Sequence, residues 1–279
     1  MKTQSWRNGA SRHIAARGLR FLVADVGAGP PVLLLHGFPD TLDLWREIAP
    51  RLVAAGHRVI AFDQRGCGES DMPAAVSAYA IAEIVDDAIA VLDALGVTAP
   101  VDVMGHDWGA VIAWGLALRH PARVRKLVAV SVGHPQAYGR AGFEQKFVKG
   151  LYVLGFQFRG LAEWVMLRGG GLRRWLQRHP DMDEIERRMA RPGRLTAALN
   201  WYRANLMPVL FRSWPRCTRP VLGIIGSDDK YLTDGQMSGS ARYMDAAWAF
   251  RRFDGCGHWI PLEQPAALAD AACAWFAAG

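Results

Sequence analysis

Gly105-His106-Asp107-Trp108-Gly109 closes a short apolar run that starts at Val101 and opens a helical pattern from Ala110 to Arg119. Glycines flanking one acid are what a sharp strand-to-helix turn requires, because without Cβ atoms the two backbones approach closely. The side chain between them is exposed on a strained turn, the position the nucleophile takes in G-x-S-x-G motifs. Here that residue is Asp107. A carboxylate is ionised at neutral pH. It attacks a strained or activated sp³ carbon without help from a base and forms an alkyl ester. Releasing that ester takes an activated water. His258, in Gly255-Cys256-Gly257-His258-Trp259, is the candidate base, and Asp229 the acid that orients it. General-base help of this kind is worth about 10²–10⁴-fold. The spacing Gly-x-x-Asp after an apolar run favours Asp229 over Asp228, and Ser131-Val132-Gly133-His134-Pro135 offers no carboxylate.

Each of these residues needs a strand to carry it. Leu19–Val26 reads as a strand, followed by Gly27-Ala28-Gly29-Pro30 as a break. Residues 31–35 form a continuous apolar run, as a strand buried on both faces would. Leu42 to Leu52 has helical spacing, with Leu44, Ile48 and Leu52 on one stripe. A strand at 58–63, a glycine-rich turn at 64–70, a helix from Tyr79 to Leu95 closed by Gly96, and a strand at 124–132 follow. The alternation then stops. Residues 135–215 read as several helices rich in Trp and Arg, interrupted at Gly169-Gly170-Gly171, Pro180 and Pro192-Gly193. It resumes with strands at 221–226 and 247–253 and helices near 236–244 and 265–276. Such alternation predicts a mostly parallel sheet with helices on both faces. We expect a core from 1–134 and 216–279, with 135–215 as a helical lid over the carboxyl ends of the strands, where ligands bind in such sheets.

The order nucleophile, acid, histidine belongs to the α/β-hydrolase arrangement, and the sequence resembles that superfamily over nearly its whole length. By that resemblance, the backbone N–H groups of Phe38, after His36-Gly37, and of Trp108 hold the oxyanion. Each such donor is typically worth roughly 3 kcal/mol. His36, Phe38 and Trp108 are also expected against the substrate. Within the superfamily the chain resembles the epoxide hydrolases. Asn200-Trp201-Tyr202-Arg203 looks like their Asn-Trp-Tyr-Arg lid motif. The segment from Tyr152 to Gly160, with its Phe-Gln-x-x-Gly, looks like the one carrying their second tyrosine, and His36-Gly37-Phe38-Pro39 fits His-Gly-x-Pro. The resemblance implies that Tyr152 and Tyr202 protonate the oxygen of an opening epoxide ring. Asp63-x-Arg65-Gly66-x-Gly68-x-Ser70 is shared across the superfamily and reads as structural.

The expected reaction is hydrolysis of a hydrophobic epoxide to a diol, with water as second substrate and no metal or organic cofactor. A haloalkane dehalogenase shares the triad, but Phe38 offers no side-chain donor for halide and two tyrosines would be without purpose. Fluoroacetate dehalogenases favour Arg where this chain has Trp108, and Asp107 disfavours a serine esterase. A non-catalytic receptor on the same scaffold need not keep acid, base and proton donors together. His134-Pro135 and the strongly basic lid depart from the family pattern.

Composition sets the remaining limits. The 279 residues are 51% apolar, enough for one full-sized core. The formal charge is +7, with much of the excess between Tyr138 and Arg219. A solvated helical surface accounts for such a run, as does contact with an anionic membrane or acidic ligands. Nothing resembles a nucleic-acid module. Four separated cysteines, Cys67, Cys217, Cys256 and Cys273, read as free thiols in a reducing compartment, and Cys256-Gly257-His258 lacks a second ligand pair for a metal. Met1 to Arg17 lacks the apolar stretch of a signal peptide, and no apolar run is long enough to cross a membrane. These features predict a cytosolic protein, monomeric or homodimeric.

Overall fold

A computed structural model describes residues 5–278 other than 8, 143, 177 and 178. Among these residues, eight strands form one sheet in the order β1-β2-β4-β3-β5-β6-β7-β8. They are β1 (Ser11–Ala16), β2 (Leu19–Val26), β3 (Pro31–Leu35), β4 (Arg58–Phe62), β5 (Val101–His106), β6 (Val124–Val130), β7 (Val221–Gly226) and β8 (Trp248–Phe253). From β4 to β8 every pairing is parallel, whereas β1 and β2 run antiparallel at one edge. All six residues of β5 and of β7 are buried, as central strands covered on both faces must be.

The helices are α1 (Ala49–Ala54), α2 (Ile81–Ala94), α3 (Trp108–Arg119), α4 (Pro135–Gly139), α5 (Tyr152–Gly155), α6 (Leu161–Arg168), α7 (Gly171–Trp175), α8 (Met182–Met189), α9 (Arg194–Phe211), α10 (Asp234–Ser238), α11 (Ile260–Glu263) and α12 (Pro265–Ala277). Helices α4 to α9, with a π-helical turn at Glu144–Lys149, lie between β6 and β7. The mostly parallel sheet expected from the alternation is the one observed, as is the α/β-hydrolase fold that the resemblance implies.

Three elements differ from expectation, the third being the helix expected near 236–244, which is a short α-helix followed by a 3₁₀ helix at Gly239–Tyr243. β1 falls inside Met1 to Arg17, a stretch for which no strand is expected from the sequence. It pairs with β2 through a tight turn in which Arg17 and Gly18 both have positive φ, the conformation two-residue hairpins favour. The helix expected over 42–52 is broken into a 3₁₀ turn at Leu42–Trp45 and α1. Pro50 sits in the first turn of α1, where its missing N–H costs nothing, but it bars a continuous helix through that point. The apolar stripe is nonetheless buried, with Leu44, Ile48 and Leu52 all in the core.

The glycine-rich turn after β4 is tied down as a structural loop. Asp63 accepts from the Leu42 and Glu69 amides at 2.9 and 2.8 Å, and Arg65 grips Asp87 through Nε and Nη2, both at 2.5 Å. Trp201 of α9 donates its indole N–H to the Arg65 carbonyl at 3.2 Å, joining the helical insert to the core.

Candidate active site

The loops that follow β3, β5, β7 and β8 at their carboxyl ends converge on one point. Asp107 follows β5 and has φ 54° and ψ −122°. A non-glycine residue held there is strained by about 1–3 kcal/mol, and the flanking glycines make it possible. A Cβ on Gly105 would overlap the backbone of Gly109, and one on Gly109 would overlap the carbonyl of Leu35. The strain aims the Asp107 side chain out of the sheet.

Nδ1 of His258, after β8, donates to Oδ2 of Asp229, after β7, at 2.7 Å. The other oxygen of Asp229 accepts from the amides of Tyr231 and Leu232 at 2.8 and 3.0 Å. Every lone pair that would compete for His258 is thereby engaged. Asp228, the rejected alternative, bonds instead to Ser227 at the surface. Nε2 of His258 lies 3.6 Å from Oδ2 of Asp107. Oδ1 of Asp107 accepts from the Phe38 amide at 2.8 Å. Trp108 is the first residue of α3, so its amide has no partner within the helix.

Charge follows from this packing. Burial alone would lower the pKa of His258, but the adjacent carboxylates of Asp229 and Asp107 outweigh it and raise the imidazole to about 10. Burial alone would raise Asp229, and the His258 charge with the two amides holds it below the usual carboxylate value.

Asp107 opens into a cavity of about 340 Å³. Its wall includes Trp108, Tyr152, Tyr202, Tyr138, Val132 and Leu232. The rings of Tyr152 and Tyr202 are 6.0 Å apart. Desolvation, reinforced by the Asp107 charge, pushes both phenols well above their ordinary pKa, so both carry their proton at neutral pH. The rings of Trp108 and Tyr202 meet edge to face with centroids 5.1 Å apart.

Two expected substrate contacts are placed otherwise. His36 is fully buried off the cavity wall; its Nε2 accepts from the Gln64 amide at 3.1 Å and its Nδ1 faces the Gly37 carbonyl at 3.0 Å. With both ring nitrogens engaged, it braces the loop after β3 and does not line the cavity. The Phe38 ring packs on Tyr202 and Trp175, so only its amide reaches the reaction centre.

Other residues that serve the site were not singled out from the sequence. His106 contacts the ring of His258 and pairs its Nε2 with the His258 carbonyl at 2.9 Å. Burial and the His258 charge lower its pKa to about 4, so it is neutral. Lys149 donates to the carbonyls of Asp229 and Leu232 at 2.6 and 2.7 Å, binding the helical insert to the loop that carries the acid. Gln145 holds the same loop through the Tyr231 carbonyl and Thr233 amide. Only a motif could have flagged His106; no local pattern distinguishes Lys149 from its basic neighbours.

The alpha/beta hydrolase fold family matches residues 30–265 of this chain. Epoxide hydrolase A of Mycobacterium tuberculosis (strain ATCC 25618 / H37Rv) is 32% identical over 91% of this chain and 93% of its own length. This chain belongs to the epoxide hydrolase family of α/β-hydrolases. The AB hydrolase superfamily protein YfhM of Bacillus subtilis (strain 168) is likewise 32% identical, over 93% of this chain and 92% of its own. Among solved structures, epoxide hydrolase A from Mycobacterium thermoresistibile superposes with a TM-score of 0.80 at 27% identity, covering 95% of this chain and 97% of that one. A metagenomic epoxide hydrolase from a hot environment gives 0.85 at 28%, covering 96% and 99%. The likeness to these two structures extends over 95–96% of the chain. Among the described residues no helix is long and apolar enough to cross a membrane, and Cys67, Cys217, Cys256 and Cys273 are free thiols.

Proposed function

We propose that this chain converts an apolar epoxide and water to a vicinal diol through a covalent ester on Asp107. One observation carries the reading: the strained carboxylate and the two protonated phenols, Tyr152 and Tyr202, share one cavity wall. A carboxylate supplies the nucleophile, and the phenols supply what an opening epoxide uniquely needs, a proton for the departing oxygen. Helices α4 to α9 act as the lid that keeps bulk water away.

Oδ2 of Asp107 attacks a ring carbon while Oδ1 stays on the Phe38 amide. The carbon–oxygen bond of the ring breaks, and a tyrosine gives its proton to the alkoxide. The resulting tyrosinate regains a proton from the imidazolium of His258, which leaves the histidine neutral. With Asp107 esterified, one of the charges that raised His258 is gone, and the ring can serve as base. It takes a proton from water as the hydroxide adds to the ester carbonyl. The oxyanion sits on the Phe38 and Trp108 amides. Collapse expels the diol oxygen, which takes the proton back from His258. Asp229 keeps the ring oriented throughout. The hydrophobic walls favour apolar substrates.

The test is a side-by-side assay of styrene oxide and related epoxides against bromoalkanes, reading diol and halide. Diol without halide is expected; halide release in preference to diol would replace this reading with a dehalogenase.

A further inference from the structure

The excess positive charge of this chain resides entirely in the helical insert. Residues 135–215 carry 14 Lys and Arg against 6 Asp and Glu, while the remainder carries 19 against 20. On α8 and at its end two arginines are matched, Arg187 by Glu184 and Arg191 by Glu69. Around α6 they are not. Arg159 and Arg168 bracket that helix, both exposed, and no ion pair joins either to a carboxylate among the described residues.

α6 is also turned the wrong way for a helix bathed in water. Its one acid, Glu163, faces inward, where Arg203 binds it at 2.8 and 3.0 Å. Burial would raise the Glu163 pKa, and Arg203 holds it down at about 2. Ala162 and Met166 are buried beside it. The opposite face presents Leu161, Trp164 and Val165, exposed by 57%, 58% and 42%. Phe158, before the helix, is 63% exposed. Monomeric proteins rarely leave such a contiguous patch to solvent.

The patch runs into the mouth of the cavity. Leu154 and Phe211 line that cavity and are themselves about half or more exposed. Met207, 63% exposed, lies one turn beyond Arg203, whose Nε holds the Phe156 carbonyl at 2.8 Å, so α9 and the α5–α6 segment stand side by side. An apolar rim with Trp at its centre and unpaired arginines at its edge is complementary to an anionic lipid surface, with side chains in the acyl boundary and guanidinium groups at the phosphates.

We propose that this face of the insert docks on an anionic membrane surface, with the cavity mouth against the lipid. An apolar substrate dissolved in the bilayer then enters without crossing water; that consequence rests on the epoxide reading, whereas docking itself does not.

The test is co-sedimentation of the full chain with vesicles of phosphatidylcholine alone and of an equimolar phosphatidylcholine–phosphatidylglycerol mixture. Binding to the anionic vesicles, weakened by added salt, is expected. Arg159→Glu with Arg168→Glu should reduce the partition coefficient by about tenfold or more, and Phe158→Ser with Trp164→Ser should do the same. Neither pair lines the cavity, so turnover of dissolved styrene oxide should match the parent in both, which also shows that they fold. No binding, or equal binding to neutral vesicles, overturns the proposal. So does a concentration-dependent dimer that the Phe158/Trp164 variant abolishes while vesicles capture neither protein; the patch would then be covered by a second copy. Vesicle binding without diol formation would sink the epoxide reading and leave docking intact.

Discussion

The backbone amide of Phe38 donates to Oδ1 of Asp107 at 2.8 Å, which leaves Oδ2 of the same carboxylate, 3.6 Å from His258 Nε2, as the oxygen free to attack. On the proposed mechanism the ester carbonyl is therefore born inside its oxyanion site. One turnover in heavy-oxygen water should label the Asp107 carboxyl group, read by mass spectrometry of the peptide. Label confined to the product would exclude the ester. Asp107→Ala should give no diol above background.

The Phe38 amide can be tested through its neighbour. A Cβ at Gly37 would overlap the Asp107 carboxylate. Gly37→Ala should displace Oδ1 from its donor and cut turnover by about 10²–10³-fold. Circular dichroism should remain that of the parent, and an undiminished rate would show that this amide does not hold the oxyanion.

The two steps should depend differently on pH. Attack by Asp107 needs no base, but water activation needs neutral His258, whose pKa is raised in the free enzyme. Proton loss is therefore favoured as pH rises, so ester hydrolysis should slow by about tenfold per unit on the acid side of the ring's pKa in the ester. Rapid-quench measurements should find more covalent enzyme at lower pH. His258→Gln should trap the adduct, visible by intact mass; clean turnover by that variant would remove the histidine from the mechanism.

Tyr152→Phe and Tyr202→Phe should each slow ring opening, by about 10²-fold on general-acid grounds, and the double variant should nearly abolish it. Pre-steady-state formation of the ester is the measurement. A slowed hydrolysis step with normal ester formation would place the phenols elsewhere in the cycle.

Asp40, beside the loop after β3, receives His179 of the insert at 3.0 Å. Burial would raise its pKa, but the histidine outweighs this and holds it at about 2. A folded pKa below the unfolded one contributes stability above the unfolded value, and that stability is lost as pH falls towards 2. Asp40→Asn should cost about 2 kcal/mol near neutral pH, read by urea unfolding, and the difference should shrink steadily below about pH 4. A constant difference across that range would mean that ionisation of Asp40 contributes nothing.

The amino-acid order alone determined the alternating core, the turn at Asp107, the choice of Asp229 over Asp228 as His258's partner, and the two tyrosines. These were legible because each rests on local chemistry: continuous apolar runs at β5 and β7, glycines that alone permit the elbow, and short motifs around Tyr152 and Tyr202. Pro50 was equally local, and reading the 42–52 stripe by periodicity alone overlooked it. What only the tertiary structure decided depends on residues far apart in the chain. Phe38 and Asp107 are 69 positions apart, and strand order alone brings that amide to Oδ1. His36 sits in a recognisable motif, yet its ring braces a loop because Gln64 arrives beside it. Lys149 and His106 look ordinary until folding sets the loops bearing Asp229 and His258 against them. The outward apolar face of α6 was invisible for the same reason: periodicity reveals that a helix has an apolar stripe, but the Arg203–Glu163 pair decides which side faces the core.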